Sequence, residues 1–159
     1  MTTTKLPRAS VASAAGALLV ERLYGAFARK DIEAVLDAVS DDVVWSEPEN
    51  PWNPAAGTHR GRAGVAAWLR IGKENEEVIE LLPREFIAKG DMVIVIGHMT
   101  CRARPTGRIY ESDFVHVIQV EGGQICRFQE FFDTWAAGEA FRPRLEHPFQ
   151  DLSEATMAG

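Results

Sequence analysis

Cysteine is scarce and scattered. Only two occur in the 159 residues, Cys101 and Cys126, and neither belongs to a CxxC unit or to a metal-spaced set. That argues against a disulfide-stapled scaffold and a zinc ribbon, and it fits two reduced thiols in a cytoplasmic protein. No apolar run reaches the ~20 residues that a bilayer-crossing helix needs. A mildly apolar stretch, Val11 to Val20, follows Lys5 and Arg8, but its small residues Ala12-Ser13-Ala14 precede Leu18-Leu19-Val20. A secretory signal has the reverse order. Basic charge is also in short supply. The 17 Lys and Arg are outnumbered by 23 Asp and Glu, giving a net charge of −6. No basic patch interleaves with aromatics, so nucleic acid is not an expected partner. Glycine-rich phosphate loops, nucleophile elbows and metal clusters are missing from the pattern, and no cofactor is expected.

What is present is an ordinary globular balance, 46% hydrophobic and 25% charged, in a chain long enough for one domain with a real core. Leu19, Leu23, Ala26 and Phe27, then Ile32, Val35, Leu36 and Val39, recur at helical spacing. They predict helices over about 15–29 and 32–39, with Asp31 as the N-cap of the second. Val43 to Glu47 reads as a strand stopped by Pro48. Residues 48–60, with Pro48, Pro51, Pro54 and Gly57, read as a loop. Ala63, Val65, Ala66, Trp68 and Leu69 predict a third helix over 62–74. Four strand-like segments follow, about 77–88, 92–103, 108–120 and 124–134, separated by short glycine-containing turns that suggest successive antiparallel hairpins. The expected fold is α+β, a cone-shaped barrel in which three N-terminal helices pack on a curved, mostly antiparallel sheet. Residues 1–13 are read as a flexible arm and 14–137 as the domain. Residues 138–159 are read as a polar tail that either wraps the surface or is disordered.

Phe128 to Phe132 (Phe-Gln-Glu-Phe-Phe) is the segment that points to a function. Alternation along a strand puts Phe128, Glu130 and Phe132 on one face. A carboxylate between two phenyl rings is costly unless it is paired, neutralised, or turned toward a cavity that uses it. Trp45 and Glu47 share a face of the first strand in the same way. If the two faces meet, two carboxyls share an apolar chamber. One pKa should then rise, which yields an acid and a base. Alternatively each Glu pairs with an arginine, such as Arg60, Arg62, Arg102 or Arg127, or sits at the rim in water. Trp52, in the Pro-rich loop, reads either as a lid or as a dimer contact, and Trp68 reads as helix core. His98 and His116 read as structural, with His116 turned away from the cavity. Asp133 reads as an arginine partner or a cap at the strand end.

Several segments together resemble one family: Tyr24 to Asp31 (YGAFARKD), Asp41 to Trp45 (DDVVW), Thr58 to Gly64 (THRGRAG), Pro105 to Arg108 (PTGR) and Gly123 to Asp133 (GQICRFQEFFD). Over about residues 15–136 the chain resembles SnoaL-like, ketosteroid isomerase-like proteins of the nuclear transport factor 2-like superfamily, and it is also similar to limonene-epoxide hydrolases. The resemblance to the steroid isomerases sets Glu47-Pro48 on the dipeptide carrying their proton-shuttling base. It sets Leu23 on their oxyanion-hole Tyr, with Tyr24 one residue on, and Val115 near their protonated Asp. The resemblance to the epoxide hydrolases and SnoaL-type cyclases sets Glu130 on an acid/base Asp. The hydrolases' catalytic Arg and second Asp fall on Gly97 and Met99. The resemblance therefore implies cofactor-independent proton transfer of isomerase or cyclase type on a small hydrophobic molecule. Epoxide hydrolase-like water activation, or ligand binding without catalysis, are the alternatives. Glu130 and Glu47 are the catalytic candidates. Trp45, Trp52, Met99, Asp113, Val115, Phe128 and Phe132 are the ligand-binding candidates, with no metal. The family's usual homodimer would bury the outer sheet face.

Overall fold

The computed structural model describes residues 11–144. The arm expected over residues 1–10 and the tail beyond residue 144 lie outside the described residues. The elements run α1 (Val11–Arg29), α2 (Ile32–Ala38), β1 (Val39–Ser46), β2 (Thr58–Arg60), α3 (Gly61–Asn75), β3 (Glu76–Lys89), β4 (Met92–Ala103), β5 (Ile109–Glu121), β6 (Gln124–Phe132) and α4 (Thr134–Phe141).

The six strands form one mixed sheet in the order β2-β1-β6-β5-β4-β3. β3 to β6 make the expected antiparallel meander. β1 lies parallel to β6, with Trp45 opposite Phe128. The β5–β6 turn follows its sequence closely: Gly122 and Gly123 both have positive φ, 57° and 78°, which a two-residue hairpin turn of matching twist requires. The arrangement is the expected α+β fold, with the helices packed on a curved sheet that does not close.

On α1, Val20, Leu23, Tyr24 and Phe27 recur at i, i+3, i+4 and i+7, and the first three are buried. α1 packs on β3 and β4, and α3 packs on β1. Lys30 turns into the left-handed region at φ 58° and ends α1. The Asp31 carboxylate then accepts the Ala34 N–H at 3.0 Å, which caps α2 as expected. Inward-facing side chains include Val93, Val95, Met99 and Cys101 on β4, Phe114 and Ile118 on β5, and Phe128 on β6. Each fully buried residue of this size contributes ~1.5–3 kcal/mol.

Four elements differ from expectation. β1 starts at Val39 rather than Val43, because Val39 is itself buried and pairs with Ile125. The loop holds a short strand, β2, on the outer edge of β1. After β6 the chain forms α4. The Asp133 carboxylate accepts the Ala136 N–H at 3.0 Å, and Ala137, Ala140 and Phe141 bury one face. Residues 11–13, expected in the arm, are already helical, and the Ser13 hydroxyl donates to Gly90 O.

Candidate functional site

A cavity of about 110 Å³ opens between α1, α3 and the inward face of the sheet, and both candidate carboxyls line it. On that scale one water needs roughly 10–15 Å³, so the space suits a small organic molecule. Its walls are largely aromatic. Strand pairing brings Trp45 and Phe128 into a parallel stack 3.8 Å apart. Trp68 leans on Trp45 at 4.9 Å, and Phe27 meets Trp68 edge-on at 5.9 Å. Trp68, expected in the helix core, thus forms part of the wall. Phe128 and Phe132 line the cavity on the face that the alternation gives them, and Met99, named through the family resemblance, lines it too.

Glu47 follows directly on β1, where its backbone N–H is held by Gly57 O at 2.9 Å. Its Oε1 accepts the Trp68 indole N–H at 2.6 Å. Among the described residues no arginine neutralises it: Arg62 pairs with Asp41 and Arg102 with Glu77. Burial raises the Glu47 carboxyl well above its ordinary range. The charge of Glu130 raises it further, against the lowering effect of the Trp68 hydrogen bond.

Glu130 and His116 face each other across the β5–β6 pairing. His116 Nε2 lies 2.9 Å from Glu130 Oε1, with both side chains nearly buried. His116 Nδ1 meets the Tyr24 hydroxyl. A neutral His116 whose Nε2–H donates to Glu130 leaves Nδ1 to accept from Tyr24. Burial and the Glu130 charge both raise the Tyr24 pKa, which keeps that proton on the phenol. Phe114 stacks on the imidazole at 4.3 Å and Phe128 tilts against it at 4.7 Å, fixing the ring.

The inward face of β5 is therefore Tyr110, Ser112, Phe114, His116 and Ile118. This corrects the expectation for Asp113 and Val115, which lie on the opposite face. The Asp113 side chain is 77% exposed and pairs with His98 and Arg84. Val115 is only partly buried and is not among the cavity-lining residues. It also corrects the expectation that His116 points away. Trp52 does not line the cavity. Its ring approaches Gly138 on α4, and Arg142 lies over it at 5.7 Å, while its loop neighbours Asn50 and Asn53 reach the mouth.

Sequence reasoning missed Tyr24, His116, Glu76, Tyr110 and Cys101, all of which line the cavity. A signal for β5 was available: Glu111, Asp113 and Gln119 share the odd-numbered positions, and that charge belongs on a wet face. Glu76 opens β3, one position before the expected strand. The Tyr110 hydroxyl donates to its Oε1 at 2.5 Å. Burial raises the Glu76 carboxyl, and the Tyr110 bond partly offsets that rise. Among the described residues no cluster of three His, Cys, Asp or Glu side chains is arranged to hold a metal ion, and no helix is long and apolar enough to cross a membrane.

A largely aromatic cavity lined by Glu47, Glu76 and Glu130, under helices packed on a curved sheet, belongs to a fold of the nuclear transport factor 2-like type. The SnoaL-like domain model matches residues 20–128, and the chain belongs to the SnoaL-like family. A nuclear transport factor 2-like protein from Burkholderia xenovorans is 34% identical, with a TM-score of 0.75 over 82% of this chain and 98% of that one. TerC, crystallised with polyporic acid, is 32% identical, with a TM-score of 0.72 over 80% and 98% of the two chains. An uncharacterised Mycobacterium tuberculosis protein is 28% identical over 77% of this chain and 92% of its own length.

Proposed function

We propose that this protein moves a proton on a small, mostly apolar carbonyl or enol compound without a cofactor. The observation that carries this reading is the hydrogen-bonded row Tyr24–His116–Glu130 set in the same aromatic cavity as the raised carboxyl of Glu47. Glu130, with Oε1 oriented by His116, takes a proton from the carbon next to the carbonyl. The electron pair moves onto the carbonyl oxygen. Neutral Glu47 donates a hydrogen bond to that oxygen and keeps its own proton, and Glu130 returns the abstracted proton to the same or another carbon. Each such group typically contributes about 10²–10⁴-fold in rate. Stacked Trp45 and Phe128 favour a flat ring system, and the kinship with TerC, crystallised with polyporic acid, supports a ring compound.

The test is deuterium incorporation from heavy water into a panel of enolisable aryl ketones, followed by NMR. Catalysed exchange at the carbon beside the carbonyl, lost in Glu130→Gln and retained in the exposed control Asp113→Asn, is the expected result. Exchange that survives Glu130→Gln removes Glu130 from the mechanism. No exchange with any ketone that binds leaves a ligand carrier.

A further inference from the structure

The reaction proposed above leaves Glu76 unused, although it is the third carboxyl on the cavity wall. Its position is costly. Glu76 is the C-cap of α3, its backbone N–H bound to Gly72 O, so its carboxyl sits by the negative end of the helix, where ionisation is disfavoured. It has no cationic partner among the described residues. Tyr110 occupies Oε1, and no donor among the described residues answers Oε2. Tyr110 is itself buried and faces the cavity beside Cys101, its partner across β4 and β5. Among the described residues the lining holds Glu47, Glu76 and Glu130 but no Lys or Arg. The wall also contains an unanswered donor, because the buried Trp45 indole N–H meets no acceptor.

From this geometry we infer that Glu76, braced by Tyr110, is a specificity residue that binds a hydrogen-bond donor on the ligand, a hydroxyl or a protonated amine, and that the chamber rejects carboxylates and phosphates. The inference rests on the proposed small-molecule function and names the ligand class of that site. A carboxylate ligand would meet three acidic groups, and the one imidazole of the lining, His116, is already engaged by Tyr24 and Glu130. A hydroxyl or ammonium group satisfies the free Glu76 oxygen, and a hydroxyl also offers an oxygen that can accept. The Tyr110 bond by itself would tie β3 to β5 as a structural strut, so the test must read selectivity as well as stability.

Three matched probes separate these readings by calorimetry on the full chain: 2-naphthol, 2-naphthylmethylammonium and 2-naphthoate. The first two should bind at least about tenfold more tightly than the third. Glu76→Gln keeps an acceptor for Tyr110 and should collapse the preference for the ammonium probe over naphthoate. Tyr110→Phe should weaken both donor probes while leaving the affinity for naphthoate unchanged. Comparison of the two donor probes tells whether the site takes an alcohol or an amine. Naphthoate binding as well as the others, a preference unchanged by Glu76→Gln, or no donor probe binding at millimolar concentration would overturn the assignment. The outcome is separable from the proposed reaction. Glu130→Gln should abolish exchange and keep both donor probes ahead of naphthoate, by a narrower margin because one acid is gone, whereas Glu76→Gln should collapse the preference whether or not exchange is seen.

Discussion

Trp68→Phe isolates the hydrogen bond that holds Glu47. The phenyl ring keeps most of the contact with Trp45 and Phe27 and deletes the indole N–H that donates to Glu47 Oε1 at 2.6 Å. Hydrogen bonds to a charged group contribute about 1.5–3 kcal/mol, and those between neutral groups about 0.5–1.5 kcal/mol. The bond therefore favours ionised over neutral Glu47 by ~1 kcal/mol. Glu47 has a folded-state pKa raised above its unfolded value, chiefly by burial. The folded state thus holds this proton more tightly than the unfolded chain does. The stabilisation is complete below the unfolded pKa and is lost as pH rises through the folded one. Removing Trp68's N–H raises the folded pKa again, so the variant's extra loss appears on the alkaline side. Lost ring volume adds a penalty that does not depend on pH. Urea unfolding at stepped pH should show a destabilisation larger by ~1 kcal/mol on the alkaline limb than near pH ~5, or roughly 0.5 M in midpoint for a typical urea slope. Introducing Glu47→Gln in both backgrounds should abolish the excess. A penalty that is flat with pH, or one that grows toward acid, would refute the reasoning.

Gly97→Ala should destabilise by about 1–3 kcal/mol, because the new methyl would stand 2.4 Å from both Leu82 O and Phe114 Cζ, and the backbone oxygen cannot retreat. Urea unfolding checks it, and Phe114→Leu in the same chain should recover part of the loss. Asp133→Ala removes the cap of α4 and should cost ~1 kcal/mol, seen as faster amide exchange confined to residues 134–141. Phe131 is 48% exposed on the outer face of the sheet. If the homodimer implied by the family resemblance uses that face, Phe131→Glu should convert dimer to monomer by light scattering, and a mass unchanged from wild type would place any dimer contact elsewhere.

The meander, α1, the Asp31 cap and the face-sharing of Trp45 with Glu47 and of Phe128 with Glu130 were legible because each rests on local periodicity or turn chemistry, whereas the parallel pairing that sets Trp45 opposite Phe128 is a long-range contact that the sequence left open. The alternation at Phe128, Glu130 and Phe132 carried directly to the cavity. β5 was misread by one residue, and in a strand one residue exchanges the two faces. That shift sent His116 outward and drew Asp113 and Val115 inward. The β6 bulge, where pairing passes from Gln119/Arg127 to Val120/Ile125, shows how readily parity slips within this sheet. Tyr24 was set aside because Leu23 matched the isomerase position, yet both residues line the chamber. α4 was missed because the strand was carried to about residue 134 and the residues after 137 were read as a polar tail, whereas the buried positions of α4 are two small alanines and one Phe. Glu76 has no sequence signal, since its burial depends on Tyr110 reaching across β4.

The protonation state of Glu47 tests the central claim most directly. The carbonyl stretch of a neutral carboxyl, assigned by its loss in Glu47→Gln, can be followed by infrared difference spectroscopy across pH. The account predicts that the band persists well above the ordinary carboxyl range in the native protein. In Glu130→Gln it should disappear at lower pH, because removal of the neighbouring charge eases ionisation. A Glu47 that ionises like a solvent-exposed carboxyl, with a titration untouched by Glu130→Gln, would contradict the shared chamber on which the proposed chemistry depends.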